Sequence, residues 1–183
     1  MLSAREIRSS SVSTAIVATW DDHEIEDGWG TDPTTSEVIE AGKTAFFEHT
    51  PTRVEEGEPL YRSLRWADTL EIFVLDGRSE RVASEGIYLS QTQFDWFIEA
   101  IHASTAHFKL VLNSVPIADF SALFAEVEAE DRWDGYPEAR WKLLNALEGI
   151  ENLFFISGDF HFGMVCHVEP EGFAWNFYDV LVG

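Results

Sequence analysis

Two short stretches concentrate the residues that could do chemistry. Thr19-Trp20-Asp21-Asp22-His23-Glu24 places three carboxylates and an imidazole in one loop, directly after an apolar run from Thr14 to Thr19. Ser157-Gly158-Asp159-Phe160-His161-Phe162 follows a second apolar run, Leu153 to Ile156, and again delivers a carboxylate and an imidazole. Both runs read as buried strands, and open α/β sheets hold their ligands in the crevice at the carboxyl ends of the strands. Two loops at one rim can bring Asp21, Asp22, His23, Asp159 and His161 together although more than a hundred residues separate them. Carboxylate oxygens mixed with imidazole nitrogens suit a divalent or trivalent metal ion. Alternation along an extended segment would put Asp159 and His161 on one side, and Gly158 permits close backbone approach. The plain alternative for the first loop is a helix cap with its other carboxylates in solvent. The two loops taken together favour the metal.

Such loops need strands behind them, and the chain supplies a regular series. Ala15 to Trp20 reads as the first strand, and Gly28, Gly30 and Pro33 break any regular structure after the acidic loop. A helix is expected from Thr35 or Ser36, stopped by Pro51, and then a charged surface loop from Thr52 to Pro59. Leu60–Trp66 and Thr69–Leu75 read as a hairpin about Ala67-Asp68, ending at Asp76-Gly77-Arg78. Phe94, Phe97, Ile98 and Ile101 form one face of a helix from Gln91 to Ser104, capped by Ser90. Leu110–Leu112 is a strand ending at Asn113-Ser114, and Ala118 to Glu130 reads as a short acidic helix or lid. Pro137 starts a further helix with Trp141, Leu144 and Leu147 along one side, closed by Gly149. Met164–Val168 and Phe173–Val182 then read as a closing antiparallel pair. The expectation is an α/β fold, a layered β-sheet core with flanking helices, over residues 14–183 behind a polar lead-in, 1–13.

Composition narrows the function. Among 183 residues, 33 are acidic and 12 basic, giving a net charge of −21, so nucleic acid and anionic membranes are repelled. The single cysteine, Cys166, excludes an intrachain disulfide and reads as a small buried hydrophobe. Met1 to Ser13 has no apolar core of a signal peptide, and no apolar run approaches the ~20 residues of a membrane helix. Arg78 is read either as a group orienting a phosphate or acidic loop, or as a structural ion-pair partner. Asn113, at a strand exit, is placed at the cleft. Arg140, Asp134 and Tyr136 are read as packing groups, His49, His102, His107 and His167 as ordinary histidines, and Trp20, Trp29, Trp66 and Trp96 as core.

The ordered motifs resemble those of PhoD-like phosphatases, the alkaline phosphatase D group of metallophosphoesterases. They are Thr19 to Trp29, Leu60 to Trp66, Val74 to Arg78, Gln93 to Phe97, Trp133 to Pro137 with Arg140, and Ser157 to His161. The resemblance implies a two-layer β-sheet core flanked by helices, a metal centre at the strand ends, and hydrolysis of phosphate mono- or diesters. By position, Asp22 stands at an Asn or Asp metal-ligand site, His23 at that of the phosphate-contacting histidine, and Asp159 and His161 at the last ligand pair, with Asp21 alongside. Iron and calcium are the metals implied, with manganese or zinc as substitutes. The family's Gly-Asp-Gln-x-Tyr-like motif, whose Asp bridges metals, has no match here. The chain therefore reads as the C-terminal part of such a domain, inactive by itself, with exported relatives. The alternative reading is a non-catalytic acidic α/β module that binds divalent cations or a protein partner. A glycoside hydrolase using paired carboxylates ranks behind both, because it leaves the histidines unexplained. Missing strands would expose a sheet edge and permit edge-strand self-association.

Overall fold

The computed structural model describes residues 15–31, 34–52, 54, 58–124 and 129–182. The polar lead-in falls outside them, as do the tip of the Thr52–Pro59 loop and residues 125–128 of the acidic segment. The elements are α1 (Ser36–His49), β1 (Arg62–Trp66), β2 (Leu70–Val74), α2 (Gln91–Ala103), β3 (Phe108–Leu112), α3 (Ser121–Phe124), α4 (Pro137–Ala146), β4 (Leu153–Ser157), β5 (Met164–His167) and β6 (Tyr178–Leu181). Short 3-10 turns lie between several of them.

The strands form one mixed sheet in the order β1-β2-β3-β4-β6-β5. The four central strands are parallel, and an antiparallel strand closes each edge. The hairpin forms as its sequence pattern demands, with Leu64 opposite Ile72 and the turn residue Ala67 at φ 51°. On one face, Phe73, Val111 and Phe155 meet Phe97 and Ile101 of α2 and Leu143, Leu144 and Leu147 around α4. Burying such side chains contributes about 1.5–3 kcal/mol each, and this is the main core. A smaller cluster of Trp20, Trp29, Phe46 and Leu60 fastens α1 to the loops at the strand ends. Thr35 caps α1, its Oγ1 accepting from the Val38 N–H, and Ser90 caps α2 in the same way through the Gln93 N–H.

Four expectations change. Ala15–Trp20 is not a strand: Ile16 is exposed, and the segment's carbonyls are taken by side chains, Ala18 O by Arg62 Nη2 at 2.9 Å and Trp20 O by Ser114 Oγ at 2.9 Å. The apolar run satisfies its backbone across the ends of other strands rather than in a ladder. Along α4 Leu144 and Leu147 are buried as expected, but Trp141 is exposed and Arg140 and Leu143 complete the buried side instead. Trp66 is 75% exposed, because it ends an edge strand and lies outside the core. The closing pair is shorter than expected, since Phe173–Asn176 is a 3-10 turn that carries Ala174 into the core.

Candidate functional site

The site forms where β2, β3 and β4 end. Beyond β2 come Asp76 and Arg78, beyond β3 Asn113 and Ser114, and beyond β4 Gly158 and Asp159. The Thr19–Gly30 segment is fastened across these exits by hydrogen bonds from side chains. Thr19 Oγ1 donates to Leu75 O at 2.8 Å, and Trp20 Nε1 donates to Asp76 Oδ1 at 2.8 Å. Gly158 N donates to Ser114 O at 2.9 Å, which ties the β4 exit to the β3 exit.

Asp22 is the keystone of its turn. Its carbonyl accepts from Ile25 N and Glu26 N, Oδ1 accepts from His23 N at 2.7 Å, and Oδ2 accepts from Gly28 N at 2.8 Å. Burial works to raise its pKa, but the Gly28 N–H, Arg78 and the His23 N–H outweigh it and hold the carboxyl below its ordinary value. Asp21 is the opposite case. Burial pushes its pKa up to about 6, with Asp159 and Asp22 adding to the rise, although Arg78 Nε donates to Oδ1 at 2.5 Å. The second oxygen, Oδ2, is buried with no hydrogen-bond partner. Asp159 also titrates above its ordinary value, from partial burial, then from Asp131 and Asp22, with Arg78 and His161 opposing.

The structure brings three of the predicted residues together. Oxygens of Asp21, Asp22 and Asp159 all lie within 4.8 Å of one another. Asp22, His23 and Asp27 make a second such group, in which His23 Nε2 lies 3.4 Å from Asp27 Oδ1 and both side chains are exposed. His161 joins neither group among the described residues. The expected alternation fails because Asp159 and His161 are not in a strand: β4 ends at Ser157, and both residues take left-handed backbone, at φ 73° and 55°. The loop turns instead of extending, and the imidazole stays exposed beside the carboxylate.

Arg78 is 1% exposed and spans the site from beneath. It pairs with Asp21 and Asp131, and its Nη1 donates to Trp29 O at 3.1 Å. Nη2 lies 3.8 Å from Asp22 Oδ1 and has no hydrogen bond. Asn113 is 3% exposed, and its Nδ2 donates to Val115 O at 2.5 Å, so its amide serves the turn after β3. Arg140 is structural: Nε donates to Ile117 O, and Nη2 pairs with Glu169 at 2.5 Å.

Several members escaped sequence reasoning. Asp131 sits in the acidic stretch and carries no local signal. Asp76 accepts from Trp20 Nε1, Arg78 N and Ser79 N, organising the Asp76–Ser79 turn. Asp179 is buried in β6, accepting from Ser157 Oγ and from Ile117 N and Ala118 N. A lone carboxylate on the inward side of an apolar strand was its available signal. The three carboxylates and one guanidinium leave surplus negative charge and an unpartnered oxygen, a donor set that fits a hard cation.

A family model described as PhoD-like phosphatase matches residues 1–180. The chain is 26% identical over 178 residues to alkaline phosphatase D of Bacillus subtilis (strain 168), covering 79% of this chain and 30% of that protein. A solved structure titled "Structure of PhoD" superimposes with a TM-score of 0.72 at 22% identity, over 89% of this chain and 38% of that one, a likeness of fold. The chain thus spans about a third of the length of these relatives.

Proposed function

Because this chain belongs to the PhoD-like phosphatase family, we propose that it carries the acidic strand-exit portion of a metal-assisted phosphoesterase centre. The observation that carries this reading is the convergence of Asp21, Asp22 and Asp159, with Asp21 Oδ2 buried and without a hydrogen-bond partner. These three carboxylates would hold the metal, and His161, outside the group, would stand beside it. The all-oxygen set favours calcium or manganese over zinc. A cation held by Asp21, Asp22 and Asp159 would supply Lewis-acid chemistry toward a phosphate ester.

The chain's own residues have separable tasks. Two backbone N–H groups fix Asp22, so its oxygens keep one orientation. Arg78 acts through Asp21 rather than on substrate: it anchors one oxygen and leaves the other free. His23, exposed beside Asp27, would give a proton to the leaving oxygen of a phosphate ester.

A second reading is a cation-binding acidic module without turnover, favoured by the carboxylate group that neither His23 nor His161 joins. Titration calorimetry with calcium and with manganese, on the 183-residue chain and on Asp21→Asn/Asp159→Asn, tests the site. Saturable binding that the double variant loses and His23→Ala retains is expected. Equal binding by the double variant, or no saturable binding by the parent, would overturn the assignment. Hydrolysis of p-nitrophenyl phosphate or its bis ester by the loaded chain then separates the two readings.

A further inference from the structure

Exposure alternates along β6, and Asp179 falls on a buried position, opposite Phe155 of the main core. The pattern calls for a hydrocarbon there, yet the residue is a carboxylate, 1% exposed. Burying a charge is costly unless it is hydrogen-bonded. The two oxygens of Asp179 divide their bonds between two loops. Oδ1 accepts from Ser157 Oγ at 2.7 Å, and Oδ2 accepts from Ile117 N at 2.7 Å and Ala118 N at 3.1 Å. Ser157 is the last residue of β4, two before Asp159. Residues 113–118 lead the chain away from β3, and Ser114 among them holds both acidic loops. Its carbonyl accepts from Gly158 N at 2.9 Å, and its Oγ donates at 2.9 Å to the carbonyl of Trp20, next to Asp21.

We propose that Asp179 is a positioning residue of the candidate metal site: its carboxylate locks the β3 exit to the β4 exit, so that Asp159 and Asp21 are held where their oxygens meet. The inference rests on the metal reading of Asp21, Asp22 and Asp159 given above. The pairing of β4 with β6 ends at Ser157, and Asp159 beyond it takes left-handed backbone at φ 73°, so the loop takes its direction where it leaves the sheet. That is the point at which Asp179 holds it. Hydrogen bonds to an ionised acceptor are shorter and stronger than neutral ones, and groups behind a metal's ligands fix the ligands' orientation. Leucine at position 179 would fill the core with less desolvation, but it could accept from neither loop.

Calcium titration calorimetry and amide hydrogen exchange by NMR, on the 183-residue chain and its variants, test the proposal. Asp179→Leu and Ser157→Ala should each weaken calcium binding about tenfold. Asp179→Asn keeps an oxygen for the two N–H groups and an N–H for Ser157 Oγ, and should restore most of the affinity. Leu143→Ala, a core truncation in α4, should lower Tm yet leave calcium affinity within about twofold. In the metal-free chain, Ser157→Ala should speed exchange of the Gly158 amide about tenfold relative to that of Leu75, which bonds Leu112 O on the other side of β3. Circular dichroism establishes folding, and Ser157→Ala, which removes one hydroxyl, carries the test should Asp179→Leu not fold. Variants that bind calcium as the parent does, or Gly158 and Leu75 amides that speed up together, would overturn the positioning role and leave the metal site standing. An equal loss of affinity in Leu143→Ala would overturn it too. A parent without saturable calcium binding would instead overturn the metal reading, and selective loss of Gly158 protection would then still establish the lock.

Discussion

Replacing Arg78 by methionine removes the cation beneath the acidic loops while keeping most of the side chain's volume. The guanidinium is fully enclosed and serves Asp21, Asp131 and Trp29 O together. Removing one partner of a buried ion pair costs about 3–5 kcal/mol, chiefly because the remaining charge is left uncompensated. Asp21 and Asp131 keep 18% and 20% of their side-chain surface. Asp21 already titrates at about 6 and can take up a proton, so the lower end, about 3 kcal/mol at pH 7.5, is expected. In a domain of this size 1 kcal/mol moves Tm by about 2–4 °C, giving a fall of roughly 6–12 °C. The deficit should shrink at pH 5, where Asp21 is protonated in both proteins. Calcium at 100 times its dissociation constant should restore about 2.7 kcal/mol by binding only the folded state. Thermal melts by circular dichroism at both pH values, with and without calcium, measure this. An Arg78→Met chain melting within about 1 °C of the parent, against the shift expected for a lost buried pair, would refute the view that Arg78 neutralises the site. A deficit unchanged at pH 5 would refute it equally.

Two further predictions concern the fold and its pH response. Folded Asp21 titrates at about 6 against an ordinary 3.8. The folded state therefore binds the extra proton in that window, and stability falls as pH rises through it. Between pH 5 and 7.5 this amounts to about 1.4 kcal/mol, or roughly 3–5 °C in Tm of the metal-free chain. Asp159 and Asp179, also raised, act in the same direction, and a Tm that is flat or rises over this range would contradict the burial argument. A Cβ at Gly135 would lie 1.9 Å from Ala129 O. Gly135→Ala must therefore displace the turn that carries Asp131, costing about 1–3 kcal/mol and weakening calcium binding; a variant equal to the parent in both melt and titration would count against that packing.

Local chemistry made most of the fold legible. Ser90 before an i, i+3, i+4, i+7 apolar face, Thr35 before α1, and the alternation on either side of Ala67-Asp68 each gave the observed element. The strand exits at Asp76, Asn113 and Gly158 also followed from apolar runs that end abruptly in polar residues. Periodicity failed where tertiary partners decided. Ala15–Trp20 has strand composition, but Arg62 and Ser114 take its carbonyls, and no property of the six residues encodes those donors. Alternation aligned Asp159 with His161 only on the premise of an extended chain, which left-handed backbone at both positions removes.

The sequence by itself determined the acidic loops, the strands that deliver them and the family to which they belong, because these are written in contiguous residues and their order. The tertiary structure alone decided how the charges are partnered. Asp131 reaches Arg78 across more than fifty residues of sequence, and Asp21 and Asp22, adjacent in the chain, titrate in opposite directions. The physical reason is that burial, backbone N–H groups and neighbouring charges act through space, and their balance at each carboxylate exists only once the strand ends have been brought together.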